Sequence, residues 1–122
     1  MVYVVSLVIL SLSLLGGFAP AWAEAEAKGQ ALYKQYCSVC HGAEGKGNGP
    51  GAAAMNPKPR DHSDGSYMNK LSEAHLTKVV SKGGAAVGRS PLMPAWESTM
   101  SAEQIQQVIA FVRTLAVPPY KP

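Results

Sequence analysis

Between positions 42 and 59 the chain reads GAEGKGNGPGAAAMNPKP, in which eight of eighteen residues are Gly or Pro. Regular structure does not survive that density of breakers, because Gly costs backbone entropy to order and Pro removes a donor. Structureless loops of this length are uncommon in small domains, so one that exists needs a reason. The chain has 122 residues, room for one domain at most. Such a loop is best read as wrapped over something large that replaces part of a regular core. A flexible linker is the alternative.

Three flanking stretches carry helical periodicity. Over residues 25–39, Gly29, Leu32, Tyr33 and Tyr36 recur at one-turn spacing. Glu24 and Glu26 stand at the start, where the helix dipole favours anions. Ser72 opens a second helix, with Leu71 and Leu76 as a staple; Leu76, Val79 and Val80 form its stripe and Gly83-Gly84 its stop. Ser101 and Gln104 form a capping box for the third, with Met100 and Ile105 as its staple. Ile105, Val108, Ile109, Val112 and Leu115 then form a stripe, and Pro118-Pro119 ends it. No strand pair or hairpin signal competes. The expected class is all-α with long loops.

Charge excludes more than it identifies. Eleven Lys and Arg against eight Asp and Glu give a formal net charge of +3, without blocks of like charge. That argues against a nucleic-acid arm or an acidic tail. Two cysteines are too few for a disulfide scaffold.

No charge falls in residues 2–18, and Ala21-Trp22-Ala23 follows with a small-x-small cleavage pattern. Residues 1–23 therefore read as a signal peptide and residues 24–122 as the mature domain. The leading segment lacks Lys and Arg, and seventeen uncharged, mostly apolar residues just suffice for an uncleaved anchor. Either form exports the remainder, which places it in the periplasm or on a membrane facing it.

Immediately before the loop stands Cys37-Ser38-Val39-Cys40-His41, the C-x-x-C-H signature of c-type haem attachment. On one helical turn the two thiols can each add across a haem vinyl group, and His41 can present its imidazole to the iron. A thioredoxin-like site would need a βαβ context, which is missing. A zinc site would need two more ligands, and His62 and His75 are thirteen positions apart.

A sixth iron ligand must come from Met55, Met68, Met93, Met100, His62 or His75. Pro91 and Pro94 stiffen the segment around Met93, which suits a thioether held at a fixed point. Met100 already has a staple role, Met55 and Met68 fit packing, and His75 fits solvent.

Together these residues resemble the small bacterial class I c-type cytochromes. The resemblance covers about residues 27–116 and rests on ordered pieces. Gly29 and Tyr33 match the small and aromatic residues that pack the first helix across the last, with Phe111 opposite. Gly47-Asn48-Gly49-Pro50 is similar to the segment whose proline carbonyl accepts a hydrogen bond from the proximal imidazole. Leu92-Met93-Pro94-Ala95-Trp96 looks like the distal-methionine loop. His62 departs from the pattern, since an aromatic residue is expected there.

The resemblance implies three to four helices around one covalent haem c held through Cys37 and Cys40, with His41 and Met93 as axial ligands. It also implies Arg60, Tyr67 and Trp96 near the propionates, Trp96 alternatively as packing on the haem edge. With both axial positions filled by the protein, the expected role is a one-electron carrier and not an enzyme. Partners would be redox proteins, either membrane oxidoreductases or periplasmic dehydrogenases, with no nucleic acid or small-molecule substrate, and the carrier would be a monomer. Alternatives are an anchored oxidoreductase subunit or a haem sensor. Lys46, Lys58, Lys70, Lys78 and Lys82 would surround the haem crevice, either as an ordinary solvated surface or as weak steering towards an acidic partner.

Overall fold

The computed structural model describes residues 19–122, so residues 1–18 of the predicted signal segment lie outside it. Among the described residues there are five α-helices: α1 (Ala21–Tyr36), α2 (Ser38–His41), α3 (Gly65–Met68), α4 (Glu73–Lys82) and α5 (Ala102–Thr114). Short 3-10 turns lie at Pro50–Ala52 and Gly84–Val87. The one β-type pairing described is an isolated bridge between Asp64 and Val117. The all-α expectation holds.

Helix α1 begins at Ala21, before the predicted start at position 25, with Pro20 as its N-cap. The predicted cleavage point after Ala23 therefore falls in its first turn. The helix also ends sooner than expected. Cys37 adopts φ −111°, which breaks the rod and sets the haem-attachment turn apart as α2. The predicted stripe is correct: Gly29 and Tyr33 are buried, and Leu32 and Tyr36 pack partly buried beside them.

Helix α5 lies across α1. A Cβ at Gly29 would be driven into the Gln107 carbonyl and would come 3.1 Å from the Phe111 Cβ. Only glycine permits that approach. Tyr33 packs tilted on Phe111 with 5.2 Å between ring centroids. The α5 capping box forms in both directions: Gln104 N–H donates to Ser101 Oγ (3.2 Å), and Ser101 N–H donates to Gln104 Oε1 (2.9 Å). Such a cap contributes about 1 kcal/mol. Ile105, Val108, Ile109 and Val112 fill the core together with Met68 and Met100.

Helix α4 starts as its sequence dictates, with His75 N–H donating to Ser72 Oγ at 3.1 Å. It stops at Gly83, whose φ of 84° suits glycine. Leu76 is its buried residue, and Val80 and Leu71 pack alongside. One core residue is charged. Arg113, 8% exposed, donates to the Met68 carbonyl (2.9 Å) and the Leu71 carbonyl (2.7 Å), and its guanidinium lies over Tyr120. It ties α5 to the segment joining α3 and α4.

Candidate functional site

The Gly-rich loop folds back on the C-x-x-C-H turn. Gly47 N–H donates to the His41 carbonyl at 2.7 Å, and Gly49 N–H donates to the Cys40 carbonyl at 3.1 Å. These bonds satisfy carbonyls that a four-residue helix leaves without partners. Gly47 has φ 72°, and a Cβ there would run into the Pro59 carbonyl. Lys58 closes the far side by donating to the Ala52 and Ala53 carbonyls at 2.8 and 3.1 Å. A loop tied down at so many points is a wrapped segment, not a linker.

At the centre, His41 Nδ1 lies 3.0 Å from the Arg60 carbonyl. The resemblance to class I c-type cytochromes predicts that contact at the Pro50 carbonyl. Pro50 instead opens the 3-10 turn behind the motif, and the chain returns to the imidazole only after Pro59. Nδ1–H donation to Arg60 leaves Nε2 as the free donor nitrogen, the arrangement an axial imidazole needs. Burial holds the His41 ring below the usual histidine range, opposed by the Arg60 hydrogen bond. Neutral imidazole is the ligating form.

The His62 ring stacks on His41, with 4.1 Å between centroids and 18° between planes. Two imidazoles on the same side cannot occupy opposite axial positions of one haem. With His41 as one iron donor, His62 would not be placed to supply the opposite one. Burial, followed by the His41 and Arg60 charges, keeps His62 well below the usual histidine range.

Cys37 is buried and Cys40 half-buried, and both are free thiols. Burial, with a smaller contribution from Cys40, pushes the Cys37 thiol up to about 11. Desolvation of the thiolate explains the direction.

Among the distal candidates, Met68 and Met100 are each 3% exposed and belong to the core. Met55 lies in the wrapped loop, and His75 sits half-buried at the start of α4. Met93 is half-buried on a loop with fixed ends. Gly84 N–H donates to its carbonyl at 3.0 Å, and Trp96 and Glu97 N–H groups donate to the Val80 and Ser81 carbonyls at 3.0 and 3.2 Å. The loop thus completes the C-terminal turn of α4, and a Lys82–Glu97 ion pair at 2.6 Å adds to the closure. Trp96 packs tilted on Tyr36 at 5.3 Å.

Arg60 places its guanidinium 4.0 Å above the Tyr67 ring, and Arg89 Nη2 donates to the Tyr67 hydroxyl at 3.2 Å. Arg89 was not legible as part of this cluster. No local motif marks it, and only the fold brings it to Tyr67. The predicted lysine ring is reduced, because Lys58 and Lys82 are committed to structural partners.

Among the described residues no group of three or more His, Cys, Asp or Glu side chains could hold a metal ion. A different donor set is in place. Two thiols outside any disulfide, an imidazole committed through Nδ1 and a methionine on a pinned loop fit covalent haem c. No described helix is long and apolar enough to cross a membrane.

Comparison with known proteins agrees. Residues 24–112 match the family described as cytochrome C oxidase, cbb3-type, subunit III. The chain is 29% identical over 101 residues to the Cbb3-type cytochrome c oxidase subunit FixP of Azorhizobium caulinodans, covering 83% of this chain and 31% of that protein. It is 32% identical over 90 residues to the FixP subunit of Bradyrhizobium diazoefficiens, covering 73% and 27% respectively. The chain thus spans less than a third of the length of these curated relatives. The fold is similar to a chain of the Kuenenia stuttgartiensis reducing HAO-like protein complex Kustc0457/Kustc0458, with TM-score 0.63 and 24% identity. That match covers 78% of this chain and 45% of the other. The wrapped C-x-x-C-H turn, the α1–α5 crossing and these matches converge: the chain belongs to the cbb3-type cytochrome c oxidase subunit III family and is a c-type cytochrome with the class I cytochrome c fold.

Proposed function

We propose that this chain is a monohaem electron carrier of the exported compartment, delivering single electrons to a membrane oxidoreductase of the terminal-oxidase kind. The observation that carries the reading is His41, whose Nδ1 is engaged by the Arg60 carbonyl on a turn that also holds Cys37 and Cys40. Cys37 and Cys40 would hold haem c through thioethers, with His41 Nε2 and the Met93 sulfur as axial donors. Bound haem c supplies a one-electron iron couple. The single C-x-x-C-H in the sequence supports one haem per chain.

The surrounding residues make the exchange efficient. The wrapped loop and the α1–α5 crossing keep His41 in place, and the α4-anchored loop keeps Met93 in place. Fixed donors change little between oxidation states, which lowers the reorganisation that accompanies transfer. Filling both axial positions with protein donors removes the open site that oxygen or peroxide chemistry requires. Arg60, Tyr67 and Arg89 cluster where the resemblance puts the propionates, and two guanidiniums about one phenol suit carboxylates.

The FixP similarity favours delivery to an oxidase, with the chain as a free shuttle or an anchored subunit. Export rests on the apolar leader and on the family match, which opens at Glu24, the first residue after the predicted cleavage site. Mass spectrometry of the purified protein, paired with a redox titration, tests the whole reading. A chain starting at Glu24, carrying one haem and titrating as a one-electron couple, is expected for the shuttle. An intact leader moves the assignment to the anchored subunit, and absence of covalent haem overturns the proposal. Transfer to the partner is expected to slow with rising ionic strength, through Lys46, Lys70 and Lys78.

A further inference from the structure

A line of aromatic rings runs from the helix crossing to the haem-attachment turn. Phe111 packs on Tyr33 at 5.2 Å, Tyr33 meets His62 edge-on at 5.9 Å, and His62 stacks on His41 at 4.1 Å. The Tyr33 hydroxyl donates its one proton to the Gly42 carbonyl at 3.0 Å. Its 3.4 Å contact with His62 Nδ1 is therefore made by an Nδ1–H donating to the phenol oxygen, which fixes the His62 tautomer. The His62 backbone is held as well. Its N–H donates to the Gly45 carbonyl at 2.6 Å, and a Cβ on Gly45 would come within 2.9 Å of the His62 Cβ.

His41 has less holding it. Its one described side-chain hydrogen bond, Nδ1 to the Arg60 carbonyl at 3.0 Å, restrains rotation about Cβ–Cγ through a single contact, whose angular tolerance leaves the plane loosely set. A second, extended constraint is needed to set the plane. A flat ring 18° from parallel provides it.

We propose that His62 is a positioning residue whose ring face fixes the plane of the His41 imidazole and relays that orientation from the α1–α5 crossing. The inference rests on reading His41 as an axial ligand. It assigns His62 no coordination and no proton transfer. The flat face does the holding, and the Nδ1–H tether to Tyr33 keeps that face in register.

The ferric holoprotein provides the test, through the hyperfine-shifted haem methyl resonances in its proton NMR spectrum. Their order and spread report the plane of the axial imidazole. His62→Phe keeps a flat face and should preserve the order. His62→Ala and His62→Leu remove the face and should reorder the methyl resonances or collapse their spread. Leu76→Ala, in the core on α4, should preserve the order and so separates positioning from general loosening. An unchanged order in both His62→Ala and His62→Leu overturns the proposal, as does reordering in His62→Phe or in Leu76→Ala. A parent spectrum without the shifted signals of an axial histidine overturns the His41 reading itself. Parent signals whose order both His62→Ala and His62→Leu leave in place overturn only the positioning role.

Discussion

Arg113 Nη1 donates to the Met68 backbone carbonyl at 2.9 Å, so a charged side chain on the last helix supports the end of α3 from inside the core. Nη2 does the same for Leu71 at 2.7 Å. Arg113→Leu leaves two carbonyls without donors and should cost about 2–4 kcal/mol in urea unfolding of the holoprotein. Glu73 lies 3.5 Å from Nη2 and is half-exposed. Glu73→Gln should cost no more than about 0.5 kcal/mol, since solvent screens such a pair.

Gly29→Ala sets two effects against each other. Helix propensity favours alanine by about 1 kcal/mol. The added methyl, however, meets the backbone carbonyl of Gln107, which cannot rotate away. Separating α1 from α5 should cost about 1–3 kcal/mol or more, so the variant should melt below the parent. Thermal unfolding followed at the Soret band reads the result.

Much of this was legible in the sequence because the determinants are local. The capping box at Ser101, the Ser72 cap, the α5 stripe and the C-x-x-C-H turn each occupy a few adjacent residues. The errors arose where the determinant is a return of the chain. The Arg60 carbonyl reaches His41 across nineteen positions, and Arg113 reaches Met68 across forty-five. No local pattern announces such meetings. Pro50 shares a short motif with its neighbours, whereas the Arg60 carbonyl is presented only by the returning chain. His62 is visible in the sequence as a departure, but its place against His41 follows only from the fold.

Met93→Ala should abolish the weak long-red absorption band of a methionine-ligated ferric haem, lower the reduction potential and admit cyanide. Met68→Leu and Met100→Leu should leave the band intact, since both residues are core packing at 3% exposure. Met68→Ala should cost about 2–5 kcal/mol through the cavity it leaves. A visible spectrum of each ferric variant decides the assignment.

Tyr33 should govern the alkaline limit. Burial, reinforced by the nearby Glu44 and Asp61 charges, raises its phenol above the ordinary tyrosine value. A folded-state pKa above the unfolded one contributes stability that is complete below about pH 10 and declines as pH rises further. Denaturation curves of the parent should therefore weaken above pH 10 more steeply than those of Tyr33→Phe. The variant should also be less stable at neutral pH, by about 1 kcal/mol for the lost bond to Gly42.

The Met93 loop supplies the backbone donors for Val80 and Ser81, the last turn of α4. Releasing that loop therefore frays the end of α4 as well, and the two form a single cooperative unit. His41 is linked through its ring neighbours to the helix crossing, the most deeply packed part of the described residues. The two sides of the proposed haem cradle should thus have unequal lifetimes. Amides of Trp96, Glu97 and Gly84 should exchange with solvent together, ahead of those in α5. As denaturant rises, the methionine side should open first, leaving an intermediate still tethered through Cys37, Cys40 and His41.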